Sequence, residues 1–168
     1  PGIRLQRTAL IDSHWVADVS FEATSVPATA LLGTLDRGAE VLERVLDRAT
    51  IALSAELLGL VTQAHEITLE YLKTRHQFDR ALGSFQALQH AAVDMFVEVE
   101  LSRSIVLDAL RAIDESRADL PQLASIAKAR VSDAIHLIGN EAVQMFGGIG
   151  VTDEEEIGLF LKRARVAE

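Results

Sequence analysis

The sequence predicts an all-α fold, an up-and-down antiparallel four-helix bundle that follows a short N-terminal β remnant. Three observations predict it. From about Thr34 onward apolar side chains recur with the 3.6-residue helical period, the helical stretches are joined by short breaks, and Ala and Leu abound beside only six Phe, one Trp, one Tyr and three Pro. The first 33 residues instead alternate apolar and polar side chains, which is the period of a strand.

Each element follows in order. Ile3–Arg7 and Val16–Phe21 read as strands with one buried face, and Asp12-Ser13-His14 between them suits a turn. Two strands alone make a marginal sheet, so they are expected to join a larger one supplied elsewhere or to lie against helices. Pro27 and Gly33 punctuate the connector that follows. Val41, Leu42, Val45, Leu46, Ala49, Leu53, Leu57, Leu60, Val61 and Ala64 then mark one face of a first helix from about Thr34 to Thr74. Its run Ile51–Val61 is apolar enough to predict burial nearly all round, yet it falls short of the roughly 20 residues a membrane span requires. A second helix begins after Gly83 with Ser84 as N-cap, and carries Phe85, Leu88, Ala92, Met95, Phe96 and Val99 toward Asp114. Asp119-Leu120-Pro121 opens a third, which runs through Ile126, Val131, Ile135, Ile138 and Val143 to Phe146 and stops at Gly147-Gly148-Ile149-Gly150. Thr152 and Glu155 have the spacing of a capping box for a fourth.

Composition narrows the function. Sixteen Lys and Arg against 25 Asp and Glu leave a formal charge of −9, which excludes a basic nucleic-acid footprint. Without cysteine there is no thiol nucleophile, redox pair or thiolate zinc site, and the composition fits a reducing compartment. The start at Pro1-Gly2, with neither Met nor an apolar leader, reads as an excised or cleaved end.

The residues that can carry chemistry sit where helices end. Arg75-His76-Gln77-Phe78 closes the first helix, Phe85-Gln86 opens the second, and Gln144-Met145-Phe146-Gly147-Gly148-Ile149-Gly150 closes the third. Arg75 is a permanent cation that pairs bidentately with phosphate or carboxylate. Gln86 and Gln144 both donate and accept, and glycines let backbone approach a ligand. Each also has a plainer reading. Arginine near a helix C-terminus favours the dipole, and G-G-x-G after a helix is commonly a turn.

The joint spacing weighs against the plainer readings. R-x-x-F, then F-Q with Gln86 eleven residues after Arg75, Ala127-Lys128, and the run Asn140 to Thr152 together resemble the C-terminal domain of the flavin-dependent acyl-CoA dehydrogenases. Under that resemblance residues 1–33 look like the end of the family's middle β-domain and 34–168 like its helical bundle. It implies that Arg75, Phe78 and Gln86 contact FAD and that Gln144, Gly147 and Gly148 hold its ADP half, reaching the nucleotide of a neighbouring subunit within a dimer of dimers. It implies a cytoplasmic homotetrameric oxidoreductase of fatty acid metabolism that converts an acyl-CoA to a trans-2-enoyl-CoA and passes electrons to an electron-transfer flavoprotein. No nucleic acid, membrane or metal enters this reading. Two departures stand out: Asp79 where the family usually has Gly, and Phe146 in a slot that is often His or Leu.

No catalytic base is identifiable. In most members the base lies beyond the last helix's basic segment, here Lys162-Arg163-Ala164-Arg165, and the sequence stops at Glu168 before that point. Other members carry it on the first bundle helix, where this chain has Ala49. Glu56 is expected in structural pairing inside the bundle, Glu43 on a solvated face and Glu168 at a frayed end. His65 and His136 lack a second ligand at i+4, and His76 and His90 flank the Arg75 segment, where a partner contact is conceivable. The chain alone is therefore expected to be inactive. Its alternatives are a non-catalytic partner subunit of the same family, assembled as a hetero-oligomer, and a plain four-helix interaction domain. The small residues Ala49, Ala52 and Gly59 leave room on the first helix, but small residues pack helices equally well, and acyl specificity is not legible.

Overall fold

A computed structural model describes residues 2–168. They divide into two compact units, one ending at Leu46 and the other running from Asp47 to Glu168.

In the first unit, β1 (Ile3–Ala9) and β2 (Trp15–Phe21) form an antiparallel hairpin in which Ile3 faces Phe21, Leu5 faces Val19 and Ala9 faces Trp15. The alternation therefore gathers Ile3, Leu5, Trp15, Val19 and Phe21 on one face. The turn falls at Asp12-Ser13-His14 as expected, with Ser13 at a φ of 68° and the Asp12 carboxylate accepting from the His14 amide. The expected buried face is not present, since every residue of both strands is exposed. Helix α1 starts at Gly38, four residues later than the periodicity suggested, and ends at Thr74. Val41, Leu42, Val45 and Leu46, assigned to a buried stripe by their spacing, are exposed.

The second unit is the bundle: the rest of α1, then α2 (Gln86–Asp114), α3 (Leu120–Phe146) and α4 (Ile157–Ala167). Between α1 and α2 a miniature hairpin pairs β3 (His76–Gln77) with β4 (Arg80–Ala81). Two cores fill the interior. One gathers Leu57, Val61, Met95, Val99, Val131, Ile135, Ile138 and Phe146, and the other Ile51, Val106, Ala109, Leu123 and Ala127. Small buried side chains, among them Ser102, Ala109 and Ala112 on α2 and Ala124, Ala127 and Ala134 on α3, leave little bulk between those helices, and the two pack closely.

Four further sequence expectations need correction. The Ile51–Val61 run is buried on one stripe only, at Ile51, Ser54, Leu57 and Val61, while Ala52, Glu56 and Gly59 are exposed. Ile126 and Phe96, placed on core stripes, are exposed. Ser84 does not cap α2: its hydroxyl donates to the Ala81 carbonyl within a 3₁₀ turn, and the helix starts after Phe85. No capping box opens α4, because Gly147–Val151 form a 3₁₀ turn whose Ile149 carbonyl takes the Thr152 hydroxyl, and the helix begins only at Ile157. Glycine-rich turns absorbed both cap residues. The fourth helix is consequently 11 residues, short beside the 29 of α2 and 27 of α3.

Candidate functional site

The α1 C-terminus and the α3 C-terminus lie at the same end of the bundle because the helices between them alternate in direction. Tyr71, the chain's only tyrosine, joins them. Its ring stacks on Phe146 with centroids 4.0 Å apart, and its hydroxyl donates to the Phe146 carbonyl at 3.3 Å. That carbonyl is one of the last four of α3, which have no partner within their own helix.

On the α1 side the chain turns back at once. The Arg75 amide closes the helix onto the Tyr71 carbonyl, and the Arg75 carbonyl accepts from Leu82 across the small hairpin. Phe78 and Asp79 form its two-residue tip with φ of 56° and 61°. Such a tip favours Asn-Gly, so a phenylalanine there holds backbone strain. Phe78 is 81% exposed. Its ring meets the edge of Phe85 at 6.1 Å, and the Arg80 guanidinium lies 3.8 Å over the other aromatic, Phe85. Gln86 follows as the first residue of α2 and is exposed. The exposed Arg75 guanidinium forms no ion pair or hydrogen bond with any described residue.

On the α3 side Gln144 is exposed on the last turn, and Gly147 ends the helix at a φ of 68°. A methyl group added at Gly147 or at Gly148 would meet nothing within 4 Å, so backbone is open to approach at both. Arg75, Phe78 and Gln86 thus sit on one hairpin and helix start, and Gln144, Gly147 and Gly148 on one turn. No described hydrogen bond links a side chain of one set to the other; Tyr71 and Phe146 are what hold them to a common end. Sequence reasoning passed over Tyr71 and Arg80. An aromatic four residues before Arg75 was a faint signal for the first, and nothing local announced the second.

Of the remaining candidates, Glu56, Glu168, Lys128 and His76 are engaged within the fold. Glu56, exposed, pairs with Arg163 of α4 at 2.7 Å, and Ala49 provides no carboxylate. Glu43 is exposed. Glu168 is not frayed: its carboxylate binds Arg165 at 2.9 Å and lies 3.5 Å from His136, while its carbonyl accepts from Lys128. Lys128 also donates to the Ser132 hydroxyl, and burial pulls its amine below the ordinary lysine range, opposed by Glu168. His76 and His90 are exposed, with His76 Nδ1 3.1 Å from the Thr74 carbonyl. Among the described residues no cluster of three His, Asp or Glu can hold a metal ion, and no helix is long and apolar enough to cross a membrane.

Residues 36–168 match the family model described as acyl-CoA dehydrogenase, C-terminal domain. The chain belongs to the acyl-CoA dehydrogenase family. Acyl-CoA dehydrogenase IpdE2 of Mycobacterium tuberculosis is 38% identical over 120 residues, covering 71% of this chain and 36% of that protein. The butyryl-CoA dehydrogenase of Megasphaera elsdenii superposes with a TM-score of 0.94 at 29% identity, over 99% of this chain and 44% of its own. PigA, solved with FAD and proline, gives 0.91 at 25% identity over 99% of this chain and 44% of its own. The chain therefore spans well under half the length of these relatives, and the family's bundle is the part it represents.

Proposed function

We propose that this chain is the helical C-terminal domain of an FAD-dependent acyl-CoA dehydrogenase, and that it supplies residues that bind the flavin nucleotide and surface for subunit assembly. The observation that carries the reading is the shared end of the bundle, where an arginine with no partner among the described residues and an open glycine turn are both exposed in a chain of this family. The donor set fits a dinucleotide. Arg75 supplies a fixed positive charge for the pyrophosphate, Gln86 and Gln144 supply amides, Gly147 and Gly148 supply approachable backbone, and Phe78 supplies an exposed apolar ring. Asp79 on the same tip opposes the anion and weakens the site. PigA, a relative of the same fold, binds FAD, which supports the same cofactor here.

FAD held by these residues would supply the hydride acceptor for α,β-dehydrogenation of an acyl-CoA to a trans-2-enoyl-CoA. This chain's residues orient the nucleotide, and none of them is identified as the base. The groups at the bundle end serve the flavin of a neighbouring subunit in a dimer or a dimer of dimers. An electron-transfer flavoprotein takes the electrons, and a cytoplasmic place in fatty acid metabolism suits the cysteine-free composition.

A non-catalytic partner subunit in a hetero-oligomer is the second reading, favoured by Ala49 and by the pairing of Glu56 with Arg163. Anaerobic mixing of the full-length protein with a panel of acyl-CoA esters separates the two. Bleaching of a flavin band by one ester supports the enzyme. Bound flavin that no ester bleaches, until a related chain is co-expressed, supports the partner subunit. A full-length protein that retains no FAD sinks both.

A further inference from the structure

A cleft of 310 Å³ opens between α1 and α2. Its walls are apolar, from Leu69 and Leu72 on one side and Val93 and Phe96 on the other, and Ala92 contributes only a methyl group where a larger residue would fill the space. One polar group stands in this lining well inside the fold: His65, only 6% exposed. Its Nε2 lies 3.3 Å from the Ala92 carbonyl, which can only accept, so Nε2 carries the hydrogen and Nδ1 is left as an acceptor. Among the described residues nothing donates to Nδ1. Burial lowers the imidazole's pKa below its ordinary 6.5, against the opposing pull of the Ala92 carbonyl and Glu66, so the ring stays neutral and keeps that acceptor near pH 7. The other polar side chains of the lining are exposed and already engaged: Lys73 pairs with Glu70 at 2.6 Å, and the Gln89 amide donates to the Gly83 carbonyl at 2.7 Å.

We propose that this cleft binds a small uncharged molecule with an apolar body and one hydrogen-bond donor, a phenol or short alcohol whose hydroxyl donates to His65 Nδ1. The size agrees, since 310 Å³ lies at the lower end of the roughly 300–1,000 Å³ typical of ligand clefts. The chemistry agrees as well: apolar walls with a single buried acceptor among them, the polar side chains of Lys73 and Gln89 being exposed, are how such sites combine affinity with orientation. None of the six residues assigned to the flavin nucleotide lines it, so the proposal stands apart from the flavin reading.

The test is a ¹⁹F NMR titration of the full-length protein with 4-fluorophenol and, in parallel, 4-fluorotoluene, which has the same shape without the donor. Both should bind saturably, the phenol roughly threefold to tenfold more tightly, the advantage a neutral hydrogen bond supports. His65→Leu should erase that preference. Ala92→Leu should abolish binding of both probes while flavin content and circular dichroism stay unchanged. No saturable binding to the wild type overturns the proposal, including the case in which another chain's side chains already occupy the cleft in the assembly. So does a phenol preference that survives His65→Leu, or binding that survives Ala92→Leu.

Discussion

Arg75 and Arg117 sit at opposite ends of the bundle, and the fold treats them differently. Arg117, in the turn from α2 to α3, donates to Asp108 at 2.8 Å and to both oxygens of Asp119 at 3.0 and 2.6 Å. Those bonds hold the Asp119 carboxyl below its ordinary range and raise the guanidinium above its own. Arg75 at the other end has no such partner among the described residues. An arginine whose charge is answered by its own chain is a structural tie, whereas one left unanswered beside open backbone is available to an anion from outside. Residue type and a place near a helix end are common to both, so the surroundings decide.

The largest expected effect tests that division directly. Arg75→Ala in the full-length protein should weaken FAD binding roughly 10- to 100-fold, the loss expected for charge-assisted hydrogen bonds, with little change in the Tm of the apoprotein. Arg117→Ala should do the reverse, lowering the apoprotein Tm with the FAD Kd unchanged. Flavin fluorescence titration and thermal melts read both, and equal destabilisation by the two variants would break the distinction.

Next in size are the glycines. Gly148→Val places a side chain in open space, so apoprotein stability should hold while FAD affinity falls about tenfold from lost approach. Gly147→Val should instead cost the apoprotein about 1–2 kcal/mol, because its φ of 68° suits few side chains. Urea unfolding distinguishes them. A smaller change is expected from Tyr71→Phe, which keeps the stack on Phe146 and removes one hydrogen bond worth about 1 kcal/mol.

The smallest concerns His65, between the two ends. Its folded pKa lies below the unfolded value near 6.5, so the unfolded chain takes up the proton more readily. The stability it contributes is complete above about pH 6.5 and is lost as pH falls through the lower folded value. Melts at pH 7.5 and 5.5 should therefore differ more for the wild type than for His65→Leu.

Much of this fold is legible in the sequence. The stripe through Leu57, Val61 and Ala64, the end of α3 at Gly147, and the placing of Arg75, Gln86 and Gln144 at helix ends follow from period and local chemistry. What failed did so for two physical reasons. Spacing shows that a helix has an apolar face but not whether the same chain covers it, which is why Val41, Leu42, Val45 and Leu46 were misplaced. Caps compete with turns for the same hydroxyls, and at Ser84 and Thr152 the turn won. That the ends of α1 and α3 are tied together was also out of reach, since Tyr71 and Phe146 lie 75 residues apart.

That stacked and hydrogen-bonded pair also sets how the end of the bundle breathes. A helix terminus ordinarily opens on its own, and its last amides exchange with solvent at almost no free-energy cost. Here a side chain of α1 holds the terminal carbonyl of α3, so the final turn of α3 is released only when α1 loosens with it. Amides from Val143 to Phe146 should consequently share the exchange protection of the α1 segment around Tyr71, making the two helix ends one cooperative opening unit.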